Sequence, residues 1–277
     1  MASGIDSHVG PPPYQWDIDA ISYFGRAESL GGSFNQTAIN PTYTSDYVKR
    51  AINNFVKGCK TDAIWDKLTE VYLLAGVSFG GLMAKLKFAS VATTTNFNFV
   101  AADYLSVGSG GGLKGNASDK RVETGIGTDA LDINDFAFGV YVTQRNTVAC
   151  GLFGNSGGGQ DFSCGIVDDS SPSNYFARVA SSSFIRTSFA NYTGEISVRR
   201  VGTSLRFVQR QVVGLEAGSL VGESNGNDLT LFARGASFPA DARLSAAWIM
   251  DDGSTGEITK LHTRTNALMT ALGANVY

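Results

Sequence analysis

The sequence predicts a mainly β protein: a two-sheet antiparallel jelly-roll sandwich with a C-terminal helix, preceded by a small N-terminal α-helical region. Two observations carry this. From Leu82 onward apolar residues recur at every second position, with Leu82, Ala84, Leu86 and Phe88 set against Met83, Lys85 and Lys87, the pattern of a half-buried strand. The chain also holds 33 glycines but only 17% charged residues, which suits short strands joined by small-residue turns.

Further strand-like runs lie at 98–105, 121–126, 136–143, 148–153, 175–180, 184–189, 195–201, 204–211, 229–233 and 244–250. The clearest puts Phe136, Phe138, Val140 and Val142 on one face, with Ala137, Gly139, Tyr141 and Thr143 on the other. The runs at 195–201 and 204–211 are joined by Gly202-Thr203, which reads as a two-residue hairpin turn. After the last strand, Ser254 and Glu257 form a capping box. Ile258, Leu261, Leu268, Met269 and Leu272 then mark an apolar helical stripe, with His262 expected on the surface.

The organisation reads as an extended arm at 1–15, a helical region at 16–81 and the sandwich at 82–277. Pro11, Pro12 and Pro13 stiffen the arm without packing it. Three helices are expected next. The first spans 17–30, with Ile21, Phe24 and Leu30 on its stripe. The second spans 45–57, with Val48, Ile52, Phe55 and Val56 in phase and Gly58 as its stop. The third spans 62–75, from an N-cap at Asp62 through Ile64, Leu68, Val71 and Ala75.

A net charge of −3 gives no electrostatic case for nucleic acid or an anionic membrane. No apolar run approaches the roughly 20 residues of a membrane span, and residues 1–15 lack the pattern of a secretory signal. Cys59, Cys150 and Cys164 are spaced unlike a zinc site and read as buried free thiols, although Cys150 and Cys164 could face each other on paired strands.

Read in order, several segments resemble a known pattern. Leu113-Lys114-Gly115-Asn116-Ala117-Ser118-Asp119-Lys120, followed by Val122-Glu123-Thr124-Gly125, is similar to the L-x-G-D-G-S-x-K-x-x-x-T-G segment of concanavalin A/laminin-G-like domains, with Asn116 in place of the family's Asp. The strand at 136–142, the segment Leu229-Thr230-Leu231-Phe232-Ala233-Arg234 and Asp241-Ala242-Arg243-Leu244 resemble the strand and ending that follow in that family. The stretches at 51–68, 72–76 and 96–104 resemble a preface found in bacteriophage virion proteins.

The resemblance implies a virion structural protein, a fibre, spike or head-decoration component, whose lectin-like domain binds host-surface glycans. It implies attachment to other virion proteins through the N-terminal arm, at Pro11, Pro12, Pro13, Tyr14 and Trp16, and a homotrimer as in many fibres and spikes. Two alternatives stand beside it: a purely structural capsid-cementing protein, and a glycoside hydrolase.

A retaining glycosidase needs two carboxylates about 5 Å apart, which on a strand means alternating acids. That pattern is absent, and Asp129, Asp132 and Asp135 precede a strand without alternating, so no catalytic residue is assigned and no enzyme is expected. No cofactor is expected either, with calcium possible at the acidic doublet Asp251 and Asp252. Sugar recognition needs an aromatic platform and polar groups for the hydroxyls. Asn155, Gln160, Asp161, Asp168, Asn174, Tyr175 and Tyr192 occupy loops of suitable polarity. Arg199, Arg200, Arg206 and Arg210 gather on the 195–211 hairpin as a solvated face, an acidic-glycan site or a subunit interface.

Overall fold

A computed structural model describes residues 14–277 except 89–92, 133, 146, 148, 156–163, 169–173, 179–184, 189–192, 203, 210–211, 218–225, 235 and 237. In chain order come helices α1 (Ile18–Ser29) and α2 (Ser45–Thr61), then strands β1 (Leu68–Leu73), β2 (Lys85–Phe88), β3 (Thr95–Phe97), β4 (Tyr104–Leu105), β5 (Gly112–Lys114) and β6 (Arg121–Gly127). They are followed by β7 (Asp135–Gln144), β8 (Cys150–Gly154), β9 (Gly165–Asp168), β10 (Asn174–Arg178), β11 (Ile185–Ser188) and β12 (Gly194–Val201). The last are β13 (Ser204–Gln209), β14 (Val212–Ala217), β15 (Asp228–Leu231), β16 (Arg243–Asp251) and helix α3 (Thr255–Ala271).

The strands form two antiparallel sheets. Sheet A runs β14-β13-β12-β7-β16-β1-β2, with β5 on β16 and β4 on β5; sheet B runs β11-β10-β9-β8-β15-β6-β3. Phe138 of β7 meets Phe153 of β8 edge to face, centroids 5.4 Å apart. That contact fixes the interior, so Phe136, Val140 and Val142 face it too, each buried. Burying one such side chain contributes about 1.5–3 kcal/mol.

The helix ends follow local chemistry. Asp17 caps α1 by accepting the Asp19 N–H at 3.0 Å, and Thr44 caps α2 by accepting the Tyr47 N–H at 3.3 Å. Ser254 and Glu257 exchange both bonds of the capping box at the start of α3. The tight link between β12 and β13 is present: Val201 pairs with Ser204, and Gly202 has a φ of +55°.

The N-terminal third departs from the pattern reading. Residues 62–75 form no helix: Trp65–Lys67 is one 3-10 turn, and Leu68–Leu73 is β1, between β16 and β2 in sheet A. The sheet therefore recruits residues that the pattern assigns to a helical preface. Asp62 caps the C-terminus of α2 instead, and α2 runs past Gly58 to Thr61. Gly58 lets the Arg264 side chain lie against α2, 2.8 Å from where a Cβ would stand. In α1 the buried face is Ala20, Tyr23, Phe24 and Ala27, while Ile21 and Leu30 are exposed.

Leu82, Ala84 and Leu86 are buried as expected, but two residues of β2 depart from the alternation. Lys85 is buried, 3.2 Å from the buried Glu70 carboxylate, whereas Phe88 is exposed under the Arg26 guanidinium. Arg26 also donates to the carbonyls of Lys85 and Leu86, occupying backbone acceptors at the sheet's margin.

The two segments that carry the family resemblance pack on each other. Gly115 N–H donates to the Ala242 carbonyl at 3.0 Å and Ala117 N–H to the Ala240 carbonyl at 3.1 Å. A Cβ on Gly115 would run into the Ala240 carbonyl oxygen. Asn116 accepts from the backbone N–H groups of Ser118, Asp119 and Lys120, and Arg243 donates to the Gly112 carbonyl at 2.8 Å. The motif's polar residues serve the fold here.

Candidate functional site

The residues expected to hold a sugar divide into three groups. Gln160, Asp161 and Tyr192 lie outside the described residues. Asn174 opens β10, and its side chain is likewise outside them. The remaining three are buried rather than presented on loops. Asn155 accepts the Cys164 N–H at 2.8 Å and donates to Thr128 Oγ1 at 3.4 Å. Asp168 lies in β9 and holds Arg145 through two bonds of 2.9 Å, a bidentate pairing that satisfies the carboxylate within the protein. Tyr175 pairs with Asp168 across β10 and β9 and is fully buried, so its ring is not an open stacking platform. The polarity that suggests loops at 155, 168 and 175 is used for internal pairing.

The expected arginine cluster splits. Arg200 folds inward, 1% exposed, and donates to the Gly202 carbonyl at 2.8 Å, while Arg199 reaches Thr255 Oγ1 on α3 at 3.3 Å. The side chains of Arg206 and Arg210 are outside the described residues. At the N-terminus, Tyr14 bonds Asn54 Oδ1 at 2.8 Å and Trp16 meets Phe24 at 5.8 Å, tying the chain to α1 and α2. Pro11, Pro12 and Pro13 are outside the described residues.

Asp251 and Asp252 do not fit calcium. Asp251 accepts from Thr69 Oγ1 at 2.6 Å, while the Asp252 carbonyl takes the Lys67 ammonium at 2.8 Å. One Asp251 oxygen serves a hydroxyl and the Asp252 backbone carbonyl a cationic side chain, and the Lys67 ammonium, 3.7 Å from the Asp252 carboxylate, opposes a divalent ion. Among the described residues, no three His, Cys, Asp or Glu side chains gather where a metal could be held. Cys59, Cys150 and Cys164 are buried free thiols.

Beneath α3 lies a polar cluster that the pattern reading misses. His262 is buried, 2% exposed, on the sheet-facing side of α3. Its Nε2 is 3.3 Å from Ser197 Oγ and 3.3 Å from Glu195 Oε1, and Trp248 Nε1 donates to Glu195 Oε1 at 2.7 Å. Gly139 permits this, since a Cβ there would lie 2.7 Å from the indole and 2.8 Å from Ser197 Cβ. Burial pushes Glu195 up to about 8, against hydrogen bonds from Trp248 and Thr265, and pushes His262 down to about 3. Both groups are therefore neutral near pH 6. The composition is that of a Ser-His-acid triad, but serine and acid share one imidazole nitrogen, whereas the triad needs them on opposite nitrogens. With every member closed off from solvent, the cluster has a structural role. Position 262 is legible in retrospect: it lies four residues after Ile258 and so on the buried stripe.

The accessible chemistry lies on the outer face of sheet B. Val122, Thr124 and Ile126 of β6 point inward and are buried, which leaves Arg121 and Glu123 outward and partly exposed. Phe97 pairs with Arg121 and Thr95 with Glu123 across β3 and β6. The Arg121 guanidinium sits 3.9 Å from the centroid of Phe97 and pairs with Glu123 at 3.2 Å. Asp228, on neighbouring β15, is exposed, and partial burial and the charges of Glu123 and Asp129 raise its pKa.

A second arginine–phenylalanine pair stands over β8 on the same face. After β15 the chain turns through Phe232, with a φ of +65°, and returns through Phe238, with a φ of +52°. Bulky residues rarely adopt this region, at a cost of about 1–3 kcal/mol each. The turn is held by Phe232 N–H to the Leu152 carbonyl at 2.9 Å, Ala240 N–H to the Phe232 carbonyl at 2.7 Å, and Gly151 N–H to the Phe238 carbonyl at 2.9 Å. A Cβ on Gly151 would lie 2.7 Å from the Arg234 backbone nitrogen, so the glycine lets the loop lie directly on β8. Phe238 is 48% exposed, with the Arg234 guanidinium 4.4 Å from its centroid.

No protein-family model and no curated protein matches the chain. Among solved structures it is similar to Trypanosoma rangeli sialidase in complex with sialic acid, at a TM-score of 0.51 and 11% identity, over 74% of this chain and 34% of that one. Weaker likenesses include the binding domain of botulinum neurotoxin serotype D, at a TM-score of 0.48 and 9% identity over 74% of this chain and 52% of that one. Another is domain 4 of a GH43 extracellular arabinanase from Geobacillus stearothermophilus in complex with arabinotriose, at 0.41 and 13% over 71% and 98%. The chain spans about a third of the sialidase, and that similarity speaks to the fold: a two-sheet antiparallel sandwich with N- and C-terminal helices.

Proposed function

We propose that this protein is a glycan-binding component of a bacteriophage virion, mounted through its N-terminal region and presenting the outer face of sheet B to host-surface polysaccharide. The observation that carries the binding part is the pair of partly exposed phenylalanines, Phe97 and Phe238, each beside an arginine on one open face. Aromatic faces take the C–H side of a sugar ring, and arginine, Glu123 and Asp228 offer donors and acceptors for hydroxyls. The similar sialidase structure, a complex with sialic acid, is in keeping with such a role. The virion setting rests on the sequence resemblance at 51–68, 72–76 and 96–104, and with it the homotrimer and the contact with other virion proteins. In this reading the protein binds without cutting.

Glycan-array binding with the full chain tests it. Binding to bacterial surface polysaccharide, reduced about tenfold or more by Phe97→Ala or Phe238→Ala, is expected. Binding to no glycan would overturn the reading, and sugar release during incubation would replace binding with hydrolysis.

A further inference from the structure

We propose that the groove between α2 and α3 receives this chain's own proline run, Pro11, Pro12 and Pro13, and so straps the N-terminal arm onto the helical layer. The groove measures about 190 Å³ and is lined by Ala51 and Phe55 of α2 and by Ala267 and Leu268 of α3, with Asn54 and Arg264 as its polar members. It exists because positions 51 and 267 carry only methyl groups, where longer side chains would interlock between the helices. Phe55 and Leu268 are buried, whereas Ala51 is partly exposed and Ala267 exposed. Apolar surface therefore stands open to water, and covering it is favourable.

The start of the described chain indicates what covers it. Tyr14 is fixed on α2: its hydroxyl donates to Asn54 Oδ1 at 2.8 Å and accepts from Asn53 Nδ2 at 2.9 Å, with the Arg50 guanidinium 4.3 Å from its ring centroid. Asp17 N–H also donates to Asn53 Oδ1, at 2.7 Å. Asn54 is thus both the partner of Tyr14 and a wall of the groove. The three residues directly before that anchor are the prolines.

Their chemistry suits the groove. Proline has no N–H, so an apolar lining strands no donor, and its locked φ keeps the cost of ordering low. Both polar members of the lining are engaged, Asn54 with Tyr14 and Arg264 with Asp62 at 2.7 and 3.1 Å, so the groove does not call for a charged occupant. The lengths agree as well. Three prolines in extended form span about 9 Å, and α3 lines the groove from 264 to 271, about 10 Å of helix. The strap does not depend on glycan binding.

The test uses the full chain carrying ¹³C-labelled proline. Nuclear Overhauser effects are expected between the ring protons of residues 11–13 and the methyl groups of Ala51, Ala267 and Leu268. Ala267→Trp, at an exposed position, should fill the groove and remove them, with circular dichroism showing the fold retained. Replacing all three prolines by serine should lower the thermal midpoint by about 2 °C or more, and should leave it nearly unchanged when made in the Ala267→Trp background. Absence of these effects in the unaltered chain, or an equal loss of midpoint in both backgrounds, would overturn the strap. So would effects that pass only between labelled and unlabelled chains in a mixed sample, which would assign the groove to the arm of a second copy.

Discussion

Sheet A has α3 packed across β12 and β13 and α1 along β2, whereas β3 and β6 of sheet B present Thr95, Phe97, Arg121 and Glu123 at the surface. The same kinds of residue therefore have opposite uses on the two outer faces. Under α3, Glu195, His262, Ser197 and Trp248 are sealed and contact one another through polar atoms. On sheet B, Arg121, Glu123, Arg234 and two phenylalanines stand where a partner can reach them. The difference teaches that burial, rather than composition, separates a structural polar cluster from a recognition surface. It predicts that stability and binding can be perturbed independently.

The largest effect is expected at Trp248. Replacing it by alanine removes a buried indole and one of the two donors to Glu195, at a cost of about 3–5 kcal/mol in denaturant unfolding. A loss below about 1 kcal/mol would break the claim that the roofed face belongs to the core.

The pH response comes next. Glu195 is raised from 4.5 to about 8, so its stabilising contribution is complete below about 4.5 and is lost as pH rises toward about 8. His262 is lowered from 6.5 to about 3, so its contribution is present above about 6.5 and is lost as pH falls toward about 3. In Glu195→Gln the thermal midpoint should lose much of its decline between about pH 5 and 8 and keep its acid-side decline. Persistence of the full alkaline decline would remove Glu195 as its source.

A smaller effect is expected where α2 meets α3. Arg264 and Asp62 are joined by bonds of 2.7 and 3.1 Å, but the pair is partly solvent-exposed. Asp62→Ala should cost about 1 kcal/mol or less, and less again in high salt. The smallest effect on stability belongs to Phe97→Ala, below about 1 kcal/mol by chemical denaturation, with glycan binding lost all the same. A Phe97 variant that unfolds readily would erase the distinction between the two faces.

Strand β6 was legible because one covered face makes it alternate. Strands β7 and β12 are buried on both faces but keep large apolar residues at every second position, and they and the capping box of α3 lie where the pattern places them. Strand β1, also buried on both faces, was not legible, because its apolar residues do not alternate. Leu68, Val71 and Ala75 also happen to fall at helical spacing. The site was less legible than the fold. Asp168 and Tyr175 are polar residues of the kind that binds sugars, yet long-range pairing takes them inside. Arg234 is visible in the F-A-R motif, but its partner Phe238 becomes a surface feature only because the loop folds back on Gly151.

The placement of β16 bears on how the protein is made. It lies between β7 and β1 at the middle of sheet A, pairing Met250 with Leu68 and Trp248 with Gly139. A ribosome delivers β1 (Leu68–Leu73) and β7 (Asp135–Gln144) well before this strand (Arg243–Asp251), so their edges wait unpaired while the long stretch between is synthesised. Sheet A closes only when the strand just before α3 arrives, which makes completion of the fold a late event governed by long-range pairing.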